Sequence, residues 1–239
     1  MNKYMIFAIT VLSFSCQSVR VGNEKYIIAH SVAELGSIGV AQSSTIKKRF
    51  SIHGFPALDN KIRLDVALYP FNKTLNKIYL KKLKNRQLPA QFEYVDSLPN
   101  KPELVSIKVL DLSGYIAEIN SDANRADANY LSRTKDAKIV TGIATTLSPE
   151  NLQKIREADA YYLVNEQDNK YSIALYKTDK KVGVIDLKSV DIMAYELSRC
   201  CWALNKQNKW YLSSIIDDSN SCPDYSYPTT KDDINLIKF

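Results

Sequence analysis

The sequence predicts an α+β fold, made mainly of antiparallel β-sheet with two or three helices. Residues 61–69 alternate between apolar and polar side chains, which is the period of a half-buried strand. Three short apolar runs at residues 161–164, 171–176 and 182–187 are separated by polar turns and indicate a meander. The sequence predicts fewer helices than strands. Runs of strands with few helices are typical of α+β domains with antiparallel pairing.

The elements of the first half follow from the spacing of the apolar side chains. Residues 48–53 and 61–69 predict strands. Residues 71–83 carry apolar side chains at close to helical spacing, so a helix is expected there. Two further strands are expected at residues 104–110 and 114–119.

The middle of the chain predicts one strand and one clear helix. The polar stretch at residues 120–136 is expected to be a loop or a short helix, and residues 138–146 predict a strand. Residues 148–150 (Ser-Pro-Glu) are typical of a helix start. The hydroxyl caps free amide groups, proline fits the first helical position, and the acid lies at the positive helix end. This helix is expected to end near residue 158.

One domain is expected over residues 25–239, with a candidate subdivision near residues 120–137. Its last hairpin is expected to pair residues 200–204 with residues 209–216. The chain has 239 residues, 45% hydrophobic and 24% charged, which is an ordinary globular composition.

The first fifteen residues have the pattern of a secretory signal peptide. Lys3 is followed by ten mostly apolar, uncharged residues at positions 5–14. A helix rises about 1.5 Å per residue, so this run covers about half of a 30 Å hydrocarbon core. It is too short to span a membrane but fits the apolar region of an export signal. A buried amino-terminal core helix is the alternative.

Small residues precede the first cysteine, with Ser13 and Ser15 at the third and first positions before Cys16. This pattern resembles the lipobox of bacterial lipoproteins, in the relaxed form found in Bacteroidota. The resemblance implies cleavage before Cys16, a diacylglyceryl group on its thiol, and a further acyl chain such as palmitate on the new amine. Residues 16–24 would then form a lipidated tether. An unmodified Cys16 after ordinary cleavage is the alternative.

The residues after Cys16 indicate a location in the cell envelope. Well-studied lipoproteins retained at the inner membrane have Asp where this chain has Gln17, and the acidic run that resembles a surface-export tag is missing. The resemblance therefore implies the periplasmic face of the outer membrane. The net charge of +6 is mild and fits a protein beside anionic headgroups. Export conflicts with a DNA-binding role, so no nucleic-acid partner is expected.

Three cysteines remain in the predicted domain, Cys200, Cys201 and Cys222. An oxidising compartment favours a disulfide. We expect Cys222 to pair with one of the two adjacent cysteines, which would contribute about 3 kcal/mol in the chain-entropy model. The spacing leaves the choice of partner open. Three reduced thiols are one alternative, and a metal site is a weaker one, because no histidine lies near these thiols.

The helix at residues 71–83 and the residues just after it carry a run of basic side chains without an acid among them. These are Lys73, Lys77, Lys81, Lys82, Lys84 and Arg86. Such a face is a candidate contact for a membrane or for an acidic partner. A solvated helix face is the plainer interpretation.

Several polar side chains are candidates for a catalytic or metal-binding role. The two histidines, His30 and His53, lack the context of a catalytic triad, and His53 precedes a turn. Asp65 and Glu118 are expected on the polar faces of strands, where paired carboxylates would allow glycoside hydrolysis. Ordinary solvated acids are the alternative.

Two oxygen-rich segments are candidate calcium sites, although the first lacks the glycine of the standard loop and the second lies beside the predicted disulfide. Their residues are Asp122, Asn124, Asp127 and Asn129, and Asp217, Asp218, Asn220 and Asp224. Polar turns are the alternative for both.

Aromatic residues near the carboxyl end are candidates for stacking on sugar rings or for filling a core. They are Trp202, Trp210, Tyr211, Tyr225 and Tyr227.

These observations favour an envelope lipoprotein with a non-enzymatic binding or structural role. The expected partners are the membrane, through lipid on Cys16, and a protein or another envelope component. No catalytic residue, metal ligand or cofactor is assigned from the sequence. The alternatives are a periplasmic glycan hydrolase with paired carboxylates and a periplasmic immunity protein.

Overall fold

The structure is a computed structural model that describes residues 18–30, 33–43, 48–85, 88, 92–97, 99, 101–167 and 170–230. Within them, twelve strands and four α-helices form. The strands are β1 (Ser18–Val21), β2 (Glu24–Ile28), β3 (Ile38–Ser43), β4 (Lys48–Gly54), β5 (Ile62–Pro70), β6 (Glu103–Val109), β7 (Ala137–Thr146), β8 (Ala160–Gln167), β9 (Lys170–Lys177), β10 (Lys180–Asp186), β11 (Asp191–Leu204) and β12 (Trp210–Asp217). The helices are α1 (Lys73–Lys84), α2 (Leu112–Ile119), α3 (Arg125–Arg133) and α4 (Pro149–Glu157).

All of the described strands join one antiparallel sheet. Its main order is β1-β2-β11-β7-β6-β5-β8-β9-β10. The long strand β11 pairs with β7 along one edge, and with β2 and then β12 along the other. Strand β3 pairs with both β4 and β7. The predicted α+β class with a mainly antiparallel sheet is therefore confirmed.

One predicted strand is wrong. Residues 114–119 belong to helix α2, which raises the number of α-helices to four. The Asp111 side chain accepts a hydrogen bond from the Gly114 amide at 2.8 Å and so caps the helix start. Tyr115 and Ile119 are both buried and lie four residues apart, which places them on one helical face. The segment at residues 120–136 forms a 3₁₀ turn (Asp122–Asn124) and α3.

The predicted tether is also wrong over residues 18–24, which form strand β1 and the start of β2. Val19 and Val21 alternate with polar residues, and both are buried. Gly22 makes the tight turn between the two strands with a φ of +58°, a backbone conformation that favours glycine. A Cβ atom there would also lie 2.6 Å from the Tyr69 ring.

Two hydrophobic cores lie on opposite faces of the sheet. Ile143 belongs to the core that includes the buried side chains of α2, α3 and α4, whereas its neighbour Ala144 belongs to the other core. Because successive side chains of a strand point to opposite faces, the two cores are separated by the sheet. The second core joins Val19 and Val21 of β1 to Leu75 of α1. Among the described helices, none is long and apolar enough to cross a bilayer.

Candidate binding cleft

Helix α1 presents most of its lysines as one exposed stripe. Its start is capped by Asn72, whose side chain accepts a hydrogen bond from the Leu75 amide at 2.9 Å. At 100° per residue the exposed lysines fall within about 80° of one another around the helix axis. They are Lys73, Lys77, Lys81 and Lys84. Arg86, which was expected to extend this face, lies outside the described residues.

The assignment of Lys82 to this basic face is wrong. It lies three residues after Tyr79 and seven after Leu75, so it shares their buried side of α1. Only 6% of its surface is exposed. Its ammonium nitrogen donates a hydrogen bond to the Ile192 carbonyl oxygen at 3.1 Å, which satisfies one of its protons inside the protein.

The Lys82 side chain lines a cleft of about 360 Å³. One wall is formed by the segment after β2, including His30 and Glu34. Another part of the lining comes from the 3₁₀ turn Leu187–Ser189, which contributes Lys188, and from the start of β11 at Asp191. Three separate parts of the chain thus meet at one concavity.

Burial shifts the titration of the groups in this cleft. Desolvation lowers the pKa of Lys82 to about 8, and the nearby Asp191 carboxylate partly opposes this shift. Desolvation also raises the pKa of Asp191, against the effect of Lys82. It raises the pKa of Glu34 as well, against the effect of Lys188. Shifted pKa values grouped in a cleft are typical of functional sites.

Among the described residues that line the cleft, two were candidates from the sequence, His30 and Lys82. Glu34, Lys188 and Asp191 were missed, because they are far apart in the sequence and belong to no recognisable motif. The other histidine, His53, stacks on Tyr130 with ring centroids 3.5 Å apart, which supports its structural interpretation.

The carboxylate of Glu118 is structural, contrary to its expected place on the polar face of a strand. It is buried on α2 and accepts hydrogen bonds from the Asp59 amide at 2.9 Å and the Asn60 amide at 3.0 Å. The Asn60 side chain donates a third at 2.8 Å. Asp65 is exposed on β5, directly opposite Lys108 of β6.

Lys108 brings together two carboxylates that the sequence did not single out. Its nitrogen lies 3.1 Å from a Glu196 oxygen and 3.5 Å from a Glu24 oxygen. Desolvation raises the pKa of Glu196, and the contact with Lys108 opposes this shift. The cation partly neutralises both acids, so this group is best understood as an ion-pair network that ties β2, β6 and β11 together.

The two oxygen-rich segments form structural contacts. Asn124 is buried, and Asp122 pairs with Arg125 at 2.6 Å. Asp217 accepts a hydrogen bond from the Ser219 amide, and Asp218 pairs with Lys138 at 2.6 Å. In the described part of the chain, no three His, Cys, Asp or Glu side chains come together as ligands for a metal ion.

The expected disulfide forms between Cys201 and Cys222, with Cα atoms 5.7 Å apart. Neighbouring residues of β11 point to opposite faces, so Cys200 faces away from Cys222 and enters the core as a thiol. Burial raises the pKa of the Cys200 thiol to about 12, which makes it unreactive at neutral pH.

The aromatic candidates divide into two groups. Trp202 is buried, and Trp210 packs edge to face on Tyr227 with ring centroids 6.0 Å apart. Tyr211 and Tyr225 are instead exposed, by 40% and 92% respectively.

Comparisons of the chain with protein-family models, with curated proteins and with solved structures gave no significant match. The function is therefore inferred from the chemistry of the sites alone.

Proposed function

We propose that this protein is an envelope lipoprotein, anchored by lipid on Cys16 at the periplasmic face of the outer membrane. Its role is non-enzymatic: the folded domain binds a protein partner through the cleft around Lys82. The main support for this proposal is that helix α1 has two charged sides with different environments. One side presents an exposed basic stripe, and the other presents the buried Lys82.

The position of β1 supports a domain that lies directly against the membrane. This strand begins at Ser18, two residues after Cys16. Two extended residues span at most about 7 Å, so lipid on Cys16 would hold the sheet close to the headgroups. Val19 and Val21 of β1 pack in the same core as Leu75 of α1, so the basic helix lies on the anchored side of the domain.

The exposed stripe of α1 suits a contact with anionic headgroups. Leu80 lies at the edge of this stripe, about 20° from Lys73 around the helix axis, and it is 53% exposed. A basic stripe that carries an exposed leucine is the pattern of helices that rest on a membrane surface. Lipid on Cys16 would provide the affinity, and the lysines would orient the domain.

The cleft offers both signs of charge to a ligand. Lys82 and Lys188 would attract a carboxylate, and Glu34 and Asp191 would attract an amine. Hydrogen bonds between ionised groups are shorter and stronger than neutral ones, above all where water is excluded. We infer that the bound segment of the partner carries an acidic group close to a basic one.

Crosslinking in intact cells tests this proposal. Cells that express the full chain are treated with a membrane-permeable crosslinker, and the captured proteins are compared for wild type, Lys82→Met and Lys81→Met. Lys81→Met is the matched control, because Lys81 is the exposed neighbour on the same helix. We expect one defined partner with wild type and with Lys81→Met. Recovery with Lys82→Met should fall about tenfold, since a lost charged hydrogen bond costs about 1.5–3 kcal/mol.

Two results would contradict the proposal. The first is recovery of the protein alone in every strain. The second is equal capture of the partner by wild type and Lys82→Met. The unfolding free energy of each variant, measured in parallel, separates a binding defect from a folding defect.

A further inference from the structure

A short turn near the carboxyl end holds an aromatic ring out in solvent. Tyr225 is 92% exposed and has a φ of +61°, a left-handed conformation that is strained for a residue with a bulky side chain. Such strain persists only where the surroundings enforce it, and it concentrates at functional sites.

The structure enforces this turn from both ends. Three residues before Tyr225, Cys222 is joined to β11 through the disulfide with Cys201. Two residues after it, Tyr227 exchanges two backbone hydrogen bonds of 2.8 Å with Trp202 of β11. The backbone that carries Tyr225 is therefore held in place before any ligand arrives, which lowers the entropy cost of binding.

A β-bulge in β12 forms the facing wall. The pairing of β12 with β11 skips Ser213, since Cys201 is opposite Ser214 and Trp202 is opposite Leu212. Bulges re-aim side chains next to functional sites. Here Ser213 and Ser214 both line one concavity of about 360 Å³, which they share with Tyr211 and Tyr225.

The lining of this concavity indicates the class of its ligand. Two exposed aromatic rings, those of Tyr211 and Tyr225, supply apolar faces, while the Asp224 carboxylate supplies a polar group. No lysine or arginine is among the described lining residues, so an anionic ligand would meet only the carboxylate.

We propose that this concavity, which is separate from the Lys82 cleft, binds a neutral sugar ring of a glycan. The apolar face of a hexopyranose would stack on Tyr225, and its hydroxyl groups would donate to the Asp224 carboxylate. The volume of about 360 Å³ lies at the lower end of the range for small-molecule sites, which suits one or two sugar rings.

Saturation-transfer NMR tests this proposal on the full chain carrying Cys16→Ser, with maltotriose, cellotriose and triacetylchitotriose as probes. We expect transfer to at least one trisaccharide, with unchanged affinity for Tyr225→Phe, which keeps the ring. Tyr225→Gly should bind about tenfold more weakly, because it removes the stacking face. It should nevertheless be at least as stable as wild type, because glycine relieves the positive φ. Val182→Ala alters an exposed apolar residue on β10 and should change nothing.

Three results would overturn the proposal. One is the absence of transfer to all three trisaccharides. Another is equal affinity of wild type and Tyr225→Gly. The third is capture of a protein by a photo-crosslinker at position 225 without any sugar binding, which would assign the surface to a protein partner.

Discussion

The variant Asn124→Asp should lose about 4 kcal/mol of unfolding free energy at pH 7, because it places an unpaired charge in the core. The Asn124 amide nitrogen donates to the carbonyl oxygens of Ala57 and Glu118, each at 2.8 Å. Its oxygen accepts from the Ala57 amide at 2.7 Å. In the variant a carboxylate oxygen would face two carbonyl oxygens, so two hydrogen bonds become two repulsions.

The control for this experiment is Asn129→Asp, which makes the same chemical change at an exposed position of α3. We expect it to change the unfolding free energy by less than about 0.5 kcal/mol. Urea unfolding measures both variants. Equal stability of Asn124→Asp and wild type would contradict this account, as would stabilisation of the wild-type protein by calcium ions. Either result would favour a calcium site in the segment that contains Asn124.

Replacing Lys82 with methionine should remove a pH dependence of stability. The unfolded lysine titrates near 10.5 and the folded one near 8, so between these values the unfolded state binds more protons. The cost of burying the ammonium is therefore present below pH 8 and disappears as the pH rises. Relative to Lys82→Met, wild type should gain about 2–3 kcal/mol of unfolding free energy between pH 7 and pH 10.

The comparison with the variant isolates this effect. Burial raises the pKa of Tyr26 and Tyr171 as well, but both tyrosines are present in either protein and their contributions cancel. The unfolding free energy of Lys81→Met should change with pH as that of wild type does, because the Lys81 side chain is exposed. If the unfolding free energies of wild type and Lys82→Met changed with pH in the same way, Lys82 would be solvated. The proposed role of its buried charge in the cleft would then be wrong.

Local patterns predicted most of the sheet but failed where local and nonlocal forces disagree. The alternation of residues 61–69 alone predicted strand β5, which the structure places at Ile62–Pro70. The short apolar run of α2 fits a strand and a helix equally well, and only the Asp111 cap distinguishes them. Strand β1 has four residues and is stable because it pairs with β2 and packs on α1.

The candidate sites were harder to predict, because they depend on contacts between distant residues. Glu34, Lys82 and Asp191 meet only after three separate parts of the chain have packed. The sequence contained one usable signal, since Lys82 continues the apolar stripe of Leu75 and Tyr79. Tyr225 was among the five aromatic candidates, but no pattern separated its exposed ring from the buried ones, because its exposure depends on the disulfide and the bridge to Trp202.

The proposed function depends most directly on the chemistry at Cys16, which lies outside the described residues. The decisive measurement is the intact mass of the mature protein, isolated from the envelope of a bacterium that expresses the full chain. We expect a polypeptide that begins at Cys16 and carries a diacylglyceryl group and an acyl chain. An unacylated polypeptide that begins at Met1 and stays in the cytosol would contradict the proposal.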